Sequence, residues 1–317
     1  MAQAAGVRGP GGPVDLGSLS GDPARHRRER LVRKVFFGAA ATSVVISALI
    51  VLSLIGEAWT FISNVDLPTL WSSQGWFPRR GAYDLRTIVA GTFVIAGVAM
   101  LVAAPLGLGA AMYLSEYANP RLRRWLKPII EILAGIPSVV LGYFAITFIS
   151  PDIVQRLFGG AAFFNMMSAG IAVGILVTPI VATIAEDAMR AVPLSLREAS
   201  YGMGARKVTT SLRIVFPAAV SGIVASLIVG FSRAIGETMI VAIAAGSTGG
   251  SALTLNPLEP GQTMTAAMTA LAIGSDQVKG ADYTFQSLFF VGLLLFFMTL
   301  VLNVVSERFV KRVRERY

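Results

Sequence analysis

Residues 198–217 read Glu198-Ala199-Ser200-Tyr201-Gly202-Met203-Gly204-Ala205-Arg206-Lys207, then Val208-Thr209-Thr210-Ser211-Leu212-Arg213-Ile214-Val215-Phe216-Pro217. This polar, basic, glycine-broken stretch separates two strongly apolar segments. Pro193 stops the helix before it. Ser195-Leu196-Arg197-Glu198 has the spacing of a capping box, with the Ser195 hydroxyl as cap and Glu198 reaching back three positions. Gly204 suits a left-handed C-cap. Arg206 to Val215 forms a second amphipathic piece that meets Pro217 at the mouth of the next apolar segment. The stretch predicts a short helix laid across a membrane face, with a hinge after it.

The rest of the chain supplies the membrane. Of 317 residues, 54% are hydrophobic and 14% charged, with a mean hydropathy of +0.67. A soluble domain of this length has no way to bury so much apolar surface. Six spans can be drawn, over residues 36–59, 87–114, 128–149, 166–185, 217–245 and 284–305. Each approaches or exceeds the roughly 20 residues that a crossing needs. The first is too long for a signal-peptide core, so it is expected to remain as an anchor. The expected architecture is an all-α, polytopic bundle of about six transmembrane helices.

Charge sets the orientation. A pI near 10.2 would suggest nucleic acid in a soluble protein. Here the basic residues collect instead in alternate loops, as the positive-inside rule describes. Of the 27 basic residues, only Arg79, Arg80, Arg86, Arg156, Lys279 and the intraspan Arg233 lie elsewhere. Both termini and the 193–216 loop are therefore expected in the cytoplasm. Residues 1–35, with Gly and Pro clusters and the run Arg25-His26-Arg27-Arg28, read as a disordered basic tail before a permease domain at 36–317. Trp59, Trp71 and Trp76 gather around the first external loop like interfacial aromatics. The loop 246–282 is turn-rich, and its apolar patch 264–273 is too short to cross, so a re-entrant or interfacial helix is expected.

Several chemistries are excluded. There is no cysteine, and the single histidine, His26, lies in the tail. No disulfide, zinc site, thiol nucleophile or histidine triad can be assembled, and no cofactor or metal is expected. No G-x-x-x-x-G-K-[ST] sequence occurs, so the chain has no phosphate loop with which to hydrolyse ATP.

Two ionisable groups sit inside the fifth span, in Ser232-Arg233-Ala234-Ile235-Gly236-Glu237-Thr238. Arg233 and Glu237 are four residues apart and share a helix face. An ionised group at mid-bilayer costs about 2.5–3.5 kcal/mol on insertion scales, so both should face protein or water. One reading is a salt bridge that pins packing. The other is an anion path, because a guanidinium matches tetrahedral oxyanions by paired hydrogen bonds. Pro105, Pro137 and Pro179 fall within the second, third and fourth spans, as kinks for packing or hinges for access. Gly170 and Gly174 form a GxxxG pattern suited to close packing. Glu131 is expected to pair with Lys127, and Glu186 and Asp187 to be solvated at the end of a span.

Glu198-Ala199-Ser200, Gly204, Ile214 and Phe216-Pro217 together resemble the EAA motif of ABC importer permeases, with Ser200 in place of the usual Ala and Phe216 in place of Leu. The resemblance implies the MetI-like permease fold. It makes the loop a coupling helix seated on a separate cytoplasmic ATPase, with Glu198, Ala199, Gly204, Ile214 and Pro217 as coupling residues. Arg233-Ala234-Ile235-Gly236-Glu237-Thr238-Met239 resembles the fifth-span signature of bacterial phosphate-import permeases. Ala104 to Gly109, Tyr113 to Ala118 and Gly135 to Gly142 support the likeness, which covers roughly residues 30–317. It implies a phosphate path at Arg233 and Glu237, a non-catalytic subunit in the bacterial cytoplasmic membrane, and a partner permease. Two ATPase subunits and an external phosphate-binding protein complete the implied assembly. Gly75-Trp76-Phe77-Pro78, Tyr83-Asp84, Gly91-Thr92 and Met239 lean to the PstC over the PstA type. A permease for sulfate or molybdate, or a passive anion channel, are the alternatives.

Overall fold

The computed structural model describes residues 23–71, 75–246, 250–272 and 283–313. The first 22 residues of the expected tail, and Ile273 at the end of the expected re-entrant patch, lie outside these. Helix α1 spans Pro23–Asn64. It begins within the stretch read as disordered, because nothing between Pro23 and the first apolar residue breaks a helix. The described chain divides into two units between Ser53 and Leu54.

The second unit carries the remaining elements. A two-stranded antiparallel hairpin, β1 (Trp76–Phe77) and β2 (Ala82–Tyr83), precedes α2 (Leu85–Met112). Asp84 caps α2 through its carboxylate, which accepts from the Arg86 amide. A π-helical turn, Tyr113–Tyr117, closes α2, and α3 (Pro120–Ala134) follows. Next come α4 (Ser138–Phe144), a π-helical segment Ala145–Val154 and α5 (Gln155–Leu157). Then α6 (Met166–Arg190) follows, with Asn165 capping it.

Among the described residues, five helical stretches are long and apolar enough to cross a bilayer: Arg28–Asn64, Leu85–Tyr117, Ser138–Leu157, Met166–Arg190 and Thr284–Arg308. A bent pair, Lys207–Ala218 and Val220–Ile235, makes a sixth, turning through 71°. The expected bundle of about six spans is present, with two of them redrawn. The third begins at Ser138 rather than 128, since α3 is a separate amphipathic helix. Its Leu122, Trp125, Ile129 and Ile132 are exposed on one side, and its Arg123 and Lys127 turn the other way to α6. The fifth is not continuous, as described below.

The core is built around α2 and α6. Ile95, Ala96, Ala99 and Ala103 of α2 pack with Ala169, Ala172, Val173 and Val177 of α6. A Cβ on Gly170 would lie 2.6 Å from Val98 Cβ, and one on Gly174 would lie 2.7 Å from Val102 Cβ, so these glycines let the two backbones approach. The GxxxG pattern is close packing, as expected. Trp76 is buried beside Tyr83 and Phe61, unlike the exposed Trp59 and Trp71, because it lies in the hairpin rather than at an interface.

Candidate functional site

The loop after α6 folds as α7 (Leu194–Gly202), α8 (Lys207–Thr210), a π-helical turn Ser211–Val215 and α9 (Phe216–Ala218). The expected capping box is absent. Pro193 takes the N-cap position with no side-chain cap, which puts Ser195 inside the first turn. The expected glycine termination is present: Gly204 has φ +79. The Gly204 amide donates to the Tyr201 carbonyl and the Ala205 amide to that of Ser200, the paired bonds of a Schellman motif.

Leu194, Glu198, Ala199, Tyr201 and Met203 are exposed, Met203 by 89%. Ile214 is half-buried, and Pro217 is exposed in the short helix just before the 71° bend. The Ser200 and Thr210 hydroxyls are 2.9 Å apart, which ties α7 to α8. The hydroxyl at the position that departs from the motif thus has a partner inside the loop.

Arg233 and Glu237 do pair, with Nη1 3.0 Å from Oε2. They do not share a continuous helix. Helix α10 (Val220–Ile235) ends two residues after Arg233, and α11 (Met239–Ala244) begins two after Glu237. Gly236 supplies the C-cap of α10. The other carboxylate oxygen of Glu237 accepts from the Ile240 amide at 3.4 Å, at the start of α11. The break exposes backbone, and a neighbour meets part of it: the Thr265 hydroxyl donates to the Glu237 carbonyl at 2.7 Å. Thr265 belongs to α12 (Met264–Ala272), the apolar patch of the loop before the last span, whose first residues are buried. The last span is α13 (Thr284–Val313). The Glu237 side chain is 3% exposed and that of Arg233 is 43%. The anion is enclosed and the cation is open.

Pro105 and Pro179 lie inside α2 and α6, as expected. Pro137 does not lie inside a helix. It occupies the N-cap position of α4, in the break after α3, because the residue before a proline disfavours helical backbone. Glu186 is likewise not solvated. It is fully buried and pairs with Arg123, and with Lys127 at 3.3 Å; α6 continues past it to Arg190. Lys127 also donates to Asp187 at 3.1 Å, so its partners are on α6 and not at Glu131. Burial works against the Lys127 ammonium, but the Asp187 hydrogen bond and the Glu186 charge outweigh it and hold the pKa above the ordinary 10.5. No cluster of metal-ligating side chains occurs among the described residues.

Two polar links escaped the sequence. Arg197 pairs with Glu116, and the Lys207 ammonium sits 5.0 Å from the centre of the Tyr117 ring. The partners are about 80–90 residues apart in the chain, and only the Tyr113 to Ala118 resemblance had marked that region.

The model of the binding-protein-dependent transport system inner membrane component family matches residues 103–317. The phosphate transport system permease protein PstC of Pasteurella multocida is 28% identical over 311 residues, 92% of this chain and 94% of its own. The probable ABC transporter permease protein YqgH of Bacillus subtilis is 30% identical over 274 residues, 84% of this chain and 86% of its own. Among solved structures, a bacterial ABC transporter involved in import of the acidic polysaccharide alginate superposes with a TM-score of 0.61 at 16% identity, covering 92% of this chain and 100% of that one. The inward-facing MetNI methionine ABC transporter gives 0.53 at 19%, covering 79% and 100%. Such identities speak to fold, and the fold is that of ABC importer permeases. The chain is thus a multi-pass membrane protein and a member of the binding-protein-dependent transport system inner membrane component family.

Proposed function

We propose that the chain is the PstC-type permease subunit of an ATP-driven phosphate importer in the bacterial cytoplasmic membrane. The observation that carries the reading is the half-exposed Arg233 beside the enclosed Glu237, at a broken span. Relatives named as phosphate permeases over most of their length support the cargo. Arg233 is already neutralised by Glu237, which lowers the cost of holding a cation at membrane depth. A phosphate oxyanion entering the path takes up guanidinium donors that Glu237 leaves free, and leaves when the helices around the break rearrange.

The energy comes from elsewhere. A second permease encloses the path, two ATPase subunits dock on the exposed face of α7 and its equivalent, and an external binding protein delivers phosphate. Glu198, Ala199, Gly204, Ile214 and Pro217 form the docking element. ATP binding draws the two coupling helices together and opens the path outward. No covalent bond is made or broken on this chain.

Co-purification followed by radiolabelled phosphate uptake, in a strain lacking other phosphate importers, tests the scheme. A complex without an ATPase refutes it. Sulfate and molybdate share tetrahedral geometry with phosphate, so uptake competed equally by all three would reassign the cargo without changing the class.

A further inference from the structure

We infer that Arg197 and Glu116 form the joint through which the 194–218 loop moves the transmembrane helices, with Arg197 as a positioning residue. This rests on the reading of the loop as the ATPase-docking element.

Helix α7 has two faces. Leu194, Glu198, Ala199 and Tyr201 are exposed, while Leu196, Arg197 and Ser200 turn towards the protein and are half-buried. A force applied to the outer face reaches the membrane helices through whatever the inner face grips. Arg197 grips most. Its Nη1 donates to the Val192 carbonyl at 2.6 Å, and its Nη2 to the Met189 carbonyl at 2.8 Å and to Glu116 Oε1 at 3.1 Å. Met189 lies in the last turn of α6, and Val192 two residues past its end. Glu116 lies in the π-helical turn that closes α2. One planar fork therefore binds the coupling helix to both central helices of the core, through contacts that a single ammonium has no geometry to reproduce.

The pair is shielded, with side chains 12% and 4% exposed. Low exposure strengthens such charge-assisted bonds and makes them costly to leave unmade. The second half of the loop holds the same turn, through Lys207 over Tyr117. The Ser200–Thr210 contact ties the two halves together. Single π-helical turns recur at functional positions in helices, and this one receives both grips.

The full complex reconstituted in vesicles, with ATP hydrolysis and phosphate uptake measured together, tests the joint. In Arg197→Gln and in Glu116→Gln, hydrolysis is expected near the wild-type rate. Phosphate moved per ATP should fall about tenfold in Glu116→Gln, the size of effect expected from loss of one charge-assisted hydrogen bond, and at least as far in Arg197→Gln, which loses three. Arg197→Lys, which keeps the charge without the fork, should fall between. A wild-type ratio in Arg197→Gln overturns the inference. So does equal loss of hydrolysis and uptake, or failure of both variants to assemble with the ATPase, since each marks a contact that only holds the fold.

The chain contains no cysteine, so a Glu116→Cys/Arg197→Cys pair gives an independent check. Bridging the pair with a short bifunctional thiol reagent should restore coupling if the two positions move as one body. A bridge that blocks uptake overturns the joint. Failure of the wild-type complex to move phosphate counts against the cargo alone, and the ratio is then read with the oxyanion that it does move.

Discussion

Two arginine–glutamate pairs in this chain use the same chemistry to opposite ends. Arg197 and Glu116 are 81 residues apart, and every contact around them is supplied by the protein: two backbone carbonyls, one carboxylate and little water. Arg233 and Glu237 are four residues apart, yet the arginine is left 43% exposed. In the proposed scheme, a guanidinium whose donors are taken up by the fold transmits force, and one whose donors are partly open recognises a ligand. Residue type does not separate the two roles; the state of the remaining donors does.

That contrast can be broken or sharpened in four ways, in decreasing order of expected effect. Gly204→Asp and Glu198→Lys should abolish phosphate uptake while membrane insertion, followed by fractionation, stays intact. The first places a charged side chain on the left-handed residue that ends α7, and the second reverses a charge on its exposed face. Normal uptake in both would detach the loop from coupling. Arg233→Gln should lower uptake about 10–100-fold, the loss expected for one or two charge-assisted bonds, with ATPase association unchanged on co-purification. Wild-type uptake there would move the open pair into the class of the closed one.

Glu186→Ala tests a third cluster, closed like the first. It leaves Arg123 and Lys127 without their shared buried partner. The cost should lie near the lower end of the roughly 3–5 kcal/mol seen when one member of a buried pair is removed, because both cations retain some water. Thermal unfolding in detergent reads it, and an unchanged midpoint would mean that the cluster contributes no net stability. The smallest effect concerns Glu259 in the loop between α11 and α12, whose carboxyl is held below the ordinary 4.5 by hydrogen bonds from Thr254 and Asn256. A depressed folded pKa contributes stability above the unfolded value and loses it as pH falls through the folded one. The loop should therefore keep its amide-exchange protection at neutral pH and lose it only on the acid side of 4.5. Glu259→Gln should remove that acid step.

Much of the fold was legible because hydropathy and charge asymmetry are strong, additive signals. The failures have local causes. Averaged hydropathy ran through Gly236-Glu237-Thr238 without seeing the break, since apolar residues continue on both sides. The same averaging fused α3 to the third span, although Leu122, Trp125, Ile129 and Ile132 alternate with Arg121, Arg123, Arg124 and Lys127 at a helical period. Ser195 missed the cap because Pro193 starts the helix earlier. The pair at 233 and 237 was readable because it is local. Arg197 and Glu116, or Glu186 with Arg123, become neighbours only once α2, α3 and α6 are packed, and no spacing rule reaches across so many residues.

The glycine–valine contacts between α2 and α6 have a mechanical consequence. Two helices pressed backbone to backbone bend far less readily than either alone, so the pair behaves as a beam. Helix α6 has 25 residues and so spans about 37 Å. A tilt of a few degrees imposed at its C-terminal end becomes a displacement of a few ångströms at the other end. Enlarging Gly170 or Gly174 would force the two backbones apart and open the seam.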